Sequence, residues 1–243
     1  MTSPRLRVMS YNIRYGRGTD DRIDLERIAS VIASFEPDVV ALQEVDVHRT
    51  RSGGIDQAAE LAQRLGLTAT FAPAIVEDGD SRYGNATLTR LPVLSTYQLA
   101  LPHRGHNRRS EPRCALVTRL AWDGGELDMV NTHLSIFPSE RPGQVSTLMS
   151  DLHGDEVIIA GDFNCTPWST PFKTLCCGLT PATRRARTWP SRLPFVPLDH
   201  ILFRGPLEVV RSGSWVTPEA RRASDHLPVI AELAKPEVVR GAA

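Results

Sequence analysis

The sequence of 243 residues predicts a mixed α/β fold, and three observations carry that prediction. Short apolar runs such as Val157-Ile158-Ile159-Ala160 are bounded by turn residues, the pattern of strands buried on both faces. Segments with helical apolar spacing, 25–36 and 57–65, fall between such runs. Polar, chemistry-bearing residues recur where the runs stop, and in mixed α/β folds binding groups collect at strand ends.

Taken in order, LRVMSYNI (6–13) reads as the first strand, with Asn12 near its C-terminal end and a turn at Tyr15-Gly16-Arg17-Gly18. Asp21 or Asp24 starts a helix that places Leu25, Ile28, Val31, Ile32 and Phe35 on one face, and Pro37 closes it. DVVALQEV (38–45) is the next buried strand and ends in Gln43 and Glu44; the alternative for Glu44 is plain solvation. QAAELAQRL (57–65) is a second helix stopped by Gly66. Strand-like TATFAPAIV follows, then a polar turn (77–82) and YGNATLTRLPVL. The stretch from Tyr97 to Arg113 contains HRGHNRRSEPR and is expected to loop over the surface. It is either a solvated loop or a patch that attracts a phosphate-bearing substrate.

CALVTRLAW (114–122) and ELDMVNTHL (126–134) form a predicted hairpin turning at Asp123-Gly124-Gly125, with Asn131, Thr132 and His133 at the far end. Residues 140–152 read as a helix with Pro142 in its first turn. The strand VIIA is expected to end where Gly161 relaxes the backbone. Asp162 and Asn164 lie two apart, a spacing that aims both side chains the same way in an extended chain; the alternative is an Asx turn. A loop-rich region after Pro167 holds Trp168 and Trp189, expected to pack inside rather than stack on a base. It also holds Arg184, Arg185 and Arg187. PLDHILFR (197–204) carries Asp199 and His200 near its start, and LEVVRSGSWV follows as a further strand. In ASDHLPVIAEL (223–233) Asp225 and His226 precede a strand begun by Pro228, and the tail after Leu233 is expected to be loosely held.

Twenty-eight basic and 28 acidic residues give zero net charge, which argues against holding nucleic acid by bulk electrostatics. The four cysteines have neither a disulfide framework nor a CxxC zinc spacing, so a reducing setting is expected. No N-terminal apolar stretch fits a secretory signal, and no window approaches the ~18 apolar residues of a membrane span. A cytoplasmic monomer is the expectation.

Six strand ends thus present Asn12, Glu44, His133, Asp162 with Asn164, Asp199, and Asp225 with His226. Hard oxygen donors without a thiolate cluster suit Mg²⁺, with Mn²⁺ as substitute, better than Zn²⁺. Histidines with spare carboxylates supply acid–base chemistry near neutral pH. Amides and a metal stabilise the spread negative charge of a phosphoryl transition state.

The segments SYNIR, LQEV, YGNATLTR, NTHLS, GDFN, LDHIL and SDHLP occur in that order, and in them the chain resembles the endonuclease/exonuclease/phosphatase (DNase I-like) superfamily from about Arg7 to Leu233. The resemblance implies one domain over residues 1–243, with a core of about 6–233. It also implies a four-layer α/β sandwich: two mixed sheets packed face to face, helices outside. It implies that Glu44 is the principal Mg²⁺ ligand with Asn12 beside it, and that Asp225 helps the metal site or a water network. Asp162 orients or deprotonates the attacking water, Asn164 holds a phosphate oxygen, His226 contacts the phosphate or shares the base role, and Asp199 orients His226. His133 binds the phosphate. Asn85, Arg113 and His200 are further candidates for substrate contact.

The implied reaction is in-line attack of water on a phosphate ester, with no covalent enzyme intermediate. His133 stands where apurinic endonucleases of this superfamily usually have Tyr, which weakens a base-excision role. A Mg²⁺-dependent phosphodiesterase, acting on nucleic acid, a lipid headgroup or a small molecule, is the leading expectation. A phosphomonoesterase on the same frame is the alternative, and a non-catalytic binding module the third.

Overall fold

Strand β1 (Arg5–Asn12) runs parallel to β2 (Val39–Val47), because helix α1 (Leu25–Ala33) carries the chain back between them. Asp24 caps α1 by accepting from the Arg27 amide at 2.9 Å, and Asp56 caps α2 (Gln57–Leu65) in the same way at 3.0 Å. Strands β3 (Thr68–Val76), β4 (Arg82–Thr89), β11 (Glu208–Ser214) and β12 (Val229–Ala234) complete one sheet in the order β11-β12-β1-β2-β4-β3. The second sheet repeats that logic: β7 (Gly125–His133) and β8 (Val157–Asp162) are parallel neighbours joined through α3 (Arg141–Asp151). Strands β5 (Val93–Leu101), β6 (Arg113–Trp122), β9 (Thr180–Pro181) and β10 (Asp199–Arg204) complete it in the order β5-β6-β7-β8-β10-β9. Helices α4 (Thr170–Leu175) and α5 (Ala220–Ala223) are short. The computed structural model describes residues 4–104 and 110–236.

Alternation along each strand builds three apolar layers. Ile158 and Ala160 of β8 pack between the sheets with Val39 and Ala41 of β2, whereas Val157 and Ile159 face outward onto Val145 and Leu148 of α3 and Phe172 of α4. On the far side Ile28 and Ile32 of α1 and Leu61 of α2 cover Met9, Tyr11 and Leu42. The architecture is the four-layer α/β sandwich expected from the sequence.

YGNATLTRLPVL contributes to two strands, parted at Arg90-Leu91-Pro92. Three local expectations need correction. Residues Tyr97–Leu101 are part of β5 and not of a loop; this edge strand is exposed along most of its length, so it carries no apolar alternation to betray it. Strand β8 runs through Gly161 to Asp162. Glycine is needed there because a Cβ would lie 1.8 Å from the Thr132 carbonyl oxygen of β7. The chain after Leu233 is held further than expected: Ala234 pairs with Arg5, and Lys235 Nζ bridges Glu156 (2.9 Å) and Asp123 (3.3 Å). Arg108 and Arg109 of the basic segment, and the tail beyond 236, lie outside the described residues.

The hairpin turn of β6 and β7 behaves as read: Asp123 and Gly124 both have positive φ, as a two-residue turn between right-twisted strands requires. Among the described residues no helix is long and apolar enough to cross a membrane.

Candidate active site

Parallel neighbours end at the same edge of a sheet, and this puts the polar strand ends together. In register, Asn12 of β1 lies beside Gln43 of β2, and His133 of β7 lies beside Asp162 of β8. Strand β10 is antiparallel to β8, so its first residue, Asp199, pairs with Asp162. Strand β12 is antiparallel to β1, so the turn before it delivers Asp225 and His226 to the same edge. Beneath, Gln43 Nε2 donates to Asn131 Oδ1 at 2.8 Å, and Asn131 Nδ2 donates to Leu42 and Ala86 carbonyls, tying the two sheets together under the site. Gln43 and Asn131 are therefore the floor.

Glu44 reaches the cleft through a bulge. Two residues of β2, Gln43 and Glu44, stand opposite one of β4, and Glu44 takes a left-handed φ of 58°. Asn12 Nδ2 donates to Glu44 Oε1 (2.9 Å) and to Asp162 Oδ2 (3.1 Å), so one amide holds two carboxylates facing each other. Its own oxygen accepts from the Arg14 amide at 3.0 Å. Asn12 thus presents its nitrogen to the carboxylates and orients them, where the resemblance implied a place for it beside the metal.

Asp162 and Asn164 do converge, by a different route from extended-chain alternation. Asn164 lies past the strand end with φ 47°, and its amide donates to Asp162 Oδ1 at 2.9 Å, which is the Asx turn. The turn and the site are the same feature: the turn leaves Oδ2 of Asp162 free to face His226 Nε2 (3.7 Å) and His133 Nε2 (3.5 Å).

His226 Nδ1 donates to Asp199 Oδ2 at 2.8 Å, and the Thr188 hydroxyl donates to that same oxygen. Burial opposes a charge on His226, but the carboxylates of Asp199 and Asp162 outweigh it and raise the imidazolium above the usual range. His133 is the opposite case. Burial, the Arg113 guanidinium and His226 all hold it neutral, well below the ordinary histidine range. Arg113 Nη1, 3.3 Å from His133 Nδ1, can only donate, so Nδ1 carries the lone pair and Nε2 the proton, directed at Asp162. The Asn164 Nδ2 then gives its hydrogen to the Leu134 carbonyl (3.0 Å), and its 3.1 Å approach to His133 Nε2 is contact only.

Three residues singled out from sequence stand apart. His200 points to the opposite face of β10, where its Nε2 donates to the Cys165 carbonyl (2.9 Å) and its ring packs on Phe163 and Phe172. A substrate contact from His200 does not fit that position, because it alternates away from its neighbour Asp199. Asn85 is buried and donates to the Cys114 carbonyl at 3.0 Å, anchoring the strand of Arg113. Asp225 is half exposed at the rim, 3.8 Å from Arg14 Nε.

The cleft encloses about 370 Å³ between Glu44, Asp162, Asn164, His133, His226 and Arg113. Tyr15, Arg51 and Tyr83 form one wall: Arg51 stacks over both rings and is held by two bonds to buried Asp46. Sequence reasoning passed over this wall and Thr188, since Tyr15, Arg51 and Tyr83 come from separate segments that meet only in the fold. The Trp prediction also fails: Trp168 is 67% and Trp189 37% exposed.

Carboxylates crowd this space. Burial raises Glu44 and Asp162 above the ordinary carboxylate range, against the favourable pull of Asn12 and His226. Both arginines of the cleft are already paired, Arg51 with Asp46 and Arg113 with Glu111. Such a site favours an added cation, and hard oxygen donors suit a small divalent ion. Asp162, Asp199 and His226 have donor atoms within 4.8 Å of one another and could hold a metal. Asp199 Oδ2 and both oxygens of Asp162 already accept hydrogen bonds, whereas Glu44 uses only Oε1, which makes Glu44 the freest carboxylate for an added ion.

The fold recurs in known proteins. The chain spans 95% of its length on an endonuclease/exonuclease/phosphatase structure from Beutenbergia cavernae DSM 12333, at 23% identity, 72% coverage of that chain and a TM-score of 0.77. It also superposes on the mannosyl-6-phosphatase Bt3783 of Bacteroides thetaiotaomicron VPI-5482 (20% identity, 94% of this chain, 99% of that one, TM-score 0.74). A third likeness is the human Nocturnin catalytic domain with bound sulfate anion (22% identity, 96% and 95%, TM-score 0.73). No curated protein sequence compared with the chain matches it. The model of the endonuclease/exonuclease/phosphatase family matches residues 9–226, and the chain belongs to that family of phosphoester hydrolases.

Proposed function

We propose that the chain is a divalent-metal-dependent phosphodiesterase in which water attacks phosphorus in line. The observation that supports this most is the facing pair Glu44 and Asp162, bridged by one amide, with an imidazolium on one side and a neutral imidazole on the other. Glu44 would hold a small divalent ion, Mg²⁺ or Mn²⁺, which would neutralise charge on the phosphoryl oxygens. Asp162, raised toward neutrality by burial, accepts the proton of the attacking water. His226, kept charged by Asp199, donates to a non-bridging oxygen, and Arg113 and Asn164 flank the same group. His133 gives its Nε2 proton to orient Asp162 or the departing oxygen.

A diester carries one negative charge and a monoester close to two. The cleft has three lining acids, Glu44, Glu111 and Asp162, against two arginines already in ion pairs and the His226 imidazolium, so there is no surplus cation for a second negative charge, which favours the diester. The likeness to a mannosyl-6-phosphatase supports the monoester as second reading. The deciding experiment compares bis-p-nitrophenyl phosphate, p-nitrophenyl phosphate, plasmid DNA, RNA and sphingomyelin, with Mg²⁺, Mn²⁺ or EDTA. Diester hydrolysis lost in EDTA is expected; turnover of monoesters alone sinks the leading reading.

A further inference from the structure

A second cavity, larger than the cleft, shares no lining residue with it. It encloses about 570 Å³ between the loop after Asn164 and the arginine-rich loop before Thr188. Phe172, Leu179 and Pro167 form an apolar floor, Trp168 stands as one wall, and Arg184 and Arg185 sit at the rim. Phe172 is fixed from behind by its packing on His200, ring centroids 4.6 Å apart. The tryptophan is the odd feature: at 67% exposure an indole face is left in solvent on an otherwise ordered loop.

Charge narrows what would fill this space. The chain as a whole is neutral, yet residues 184–192 hold Arg184, Arg185, Arg187 and Arg192 and no acid. Among the described residues neither Arg184 nor Arg185 takes part in an ion pair, in contrast to Arg51 and Arg113 of the cleft. Free guanidiniums next to a flat aromatic wall match an anionic group carried by a planar ring. The floor contributes one aliphatic side chain, Leu179, with Phe172 and prolines otherwise, which suits a ring better than a flexible alkyl chain. The volume is of the size that small-ligand sites occupy, about 300–1,000 Å³.

The position ties it to the reaction. Asn164 lines the cleft and Pro167 lines the cavity, and three residues span at most roughly 11 Å. A strand of a few nucleotides is longer than that separation.

We infer that this cavity is a nucleoside-phosphate subsite, in which a base stacks on Trp168 while Arg184 and Arg185 hold its phosphate. As a substrate subsite it rests on the phosphodiesterase reading; as a binding site it does not. The source of the group is either a free mononucleotide or one unit of a strand.

The test uses the full chain and its Trp168→Ala, Trp168→Phe and Arg184→Ala/Arg185→Ala variants. Adenosine 5′-monophosphate is titrated by calorimetry beside ribose 5-phosphate and dodecyl phosphate. The nucleotide is expected to bind, ribose 5-phosphate to bind far more weakly, and Trp168→Ala to lose about tenfold or more in affinity while Trp168→Phe keeps most of it. The arginine pair is expected to weaken binding and to flatten its salt dependence. In the kinetic arm a short single-stranded oligonucleotide is compared with bis-p-nitrophenyl phosphate, which is too small to span both spaces. A rise in KM for the oligonucleotide alone assigns the subsite to a strand; loss of nucleotide affinity with oligonucleotide kinetics unchanged assigns it to a free nucleotide. Nucleotide affinity unchanged in both the tryptophan and arginine variants overturns the inference, as does a Trp168→Ala effect on dodecyl phosphate in place of the nucleotide. If bis-p-nitrophenyl phosphate is not hydrolysed at all, the phosphodiesterase reading fails and the titration still decides the cavity.

Discussion

His226 Nδ1 lies 2.8 Å from Asp199 Oδ2, and the oxygen it uses also accepts the Thr188 hydroxyl, while the other oxygen of Asp199 is buried without a partner. A buried carboxylate fixed this way has one charged neighbour to compensate it, the imidazolium. The pair acts as a unit: Asp199 keeps the ring both oriented and charged.

Asp199→Asn is therefore expected to let His226 fall back toward its ordinary range near 6.5. In the unaltered chain the imidazolium persists as pH rises past neutral, because its folded value is raised. In the variant it deprotonates at a lower pH than in the parent, so the hydrolysis rate is expected to drop by at least tenfold at pH 8 and by less at pH 6. A pH–rate profile of the variant parallel to that of the parent would refute the role given to Asp199.

Glu44→Gln probes the carboxylate crowding. Mg²⁺ is expected to raise the melting temperature of the parent, since an ion bound only by the folded state stabilises it by mass action. The variant is expected to show no such rise, to lose metal-stimulated hydrolysis, and to melt no earlier than the metal-free parent. The last point follows because Glu44 is raised by burial beside other acids, so its charge opposes folding. Thermal melts with and without the ion check all three.

Much of this site was legible because it is made at strand ends. Asn12, His133 and Asp162 each close a strand, and parallel pairing brings such ends to one edge without further information, whereas Glu44 reaches it through the bulge in β2. His200 was misplaced because the start of β10 was not fixed from sequence: as its second residue it faces away from Asp199. Arg51 meets Tyr15 and Tyr83 from two distant segments, and Thr188 meets Asp199 across a loop, contacts for which strand and helix periodicity hold no signal. Edge strand β5 is exposed along most of its length, so the apolar alternation that marks a half-buried strand is weak in it.

Gly161→Ala tests the link between fold and site. The added Cβ would meet the Thr132 carbonyl oxygen at 1.8 Å, and that oxygen belongs to the adjacent backbone of β7, which cannot rotate away. The strand pair that carries His133 and Asp162 must then separate. A loss of about 2 kcal/mol or more in urea unfolding is expected, with hydrolysis falling further than stability does. A variant of parental stability and activity would show that the two strands approach less closely than described.

The last prediction concerns acid. Burial holds both His133 and His200 below the ordinary histidine range, so the folded chain keeps them neutral while the unfolded chain protonates them near pH 6.5. Each such group is neutral in its effect above about pH 6.5, and below that the unfolded state binds the extra proton. Stability then falls by about 1.4 kcal/mol per pH unit per histidine, until the folded value is reached. Glu44 and Asp162 act in the opposite direction, because their raised values let the folded state bind protons first and gain stability as pH falls. The parental slope alone is therefore a mixture of both effects. His200→Phe separates them, since it keeps the ring packing on Phe163 and Phe172, removes one titrating group and leaves the cleft untouched. Urea unfolding at pH 7.5, 6.0 and 5.0 is expected to show the variant less stable than the parent at pH 7.5, through the lost bond to the Cys165 carbonyl, with the gap narrowing as pH falls. A constant gap would mean that His200 is protonated in the folded chain despite its burial.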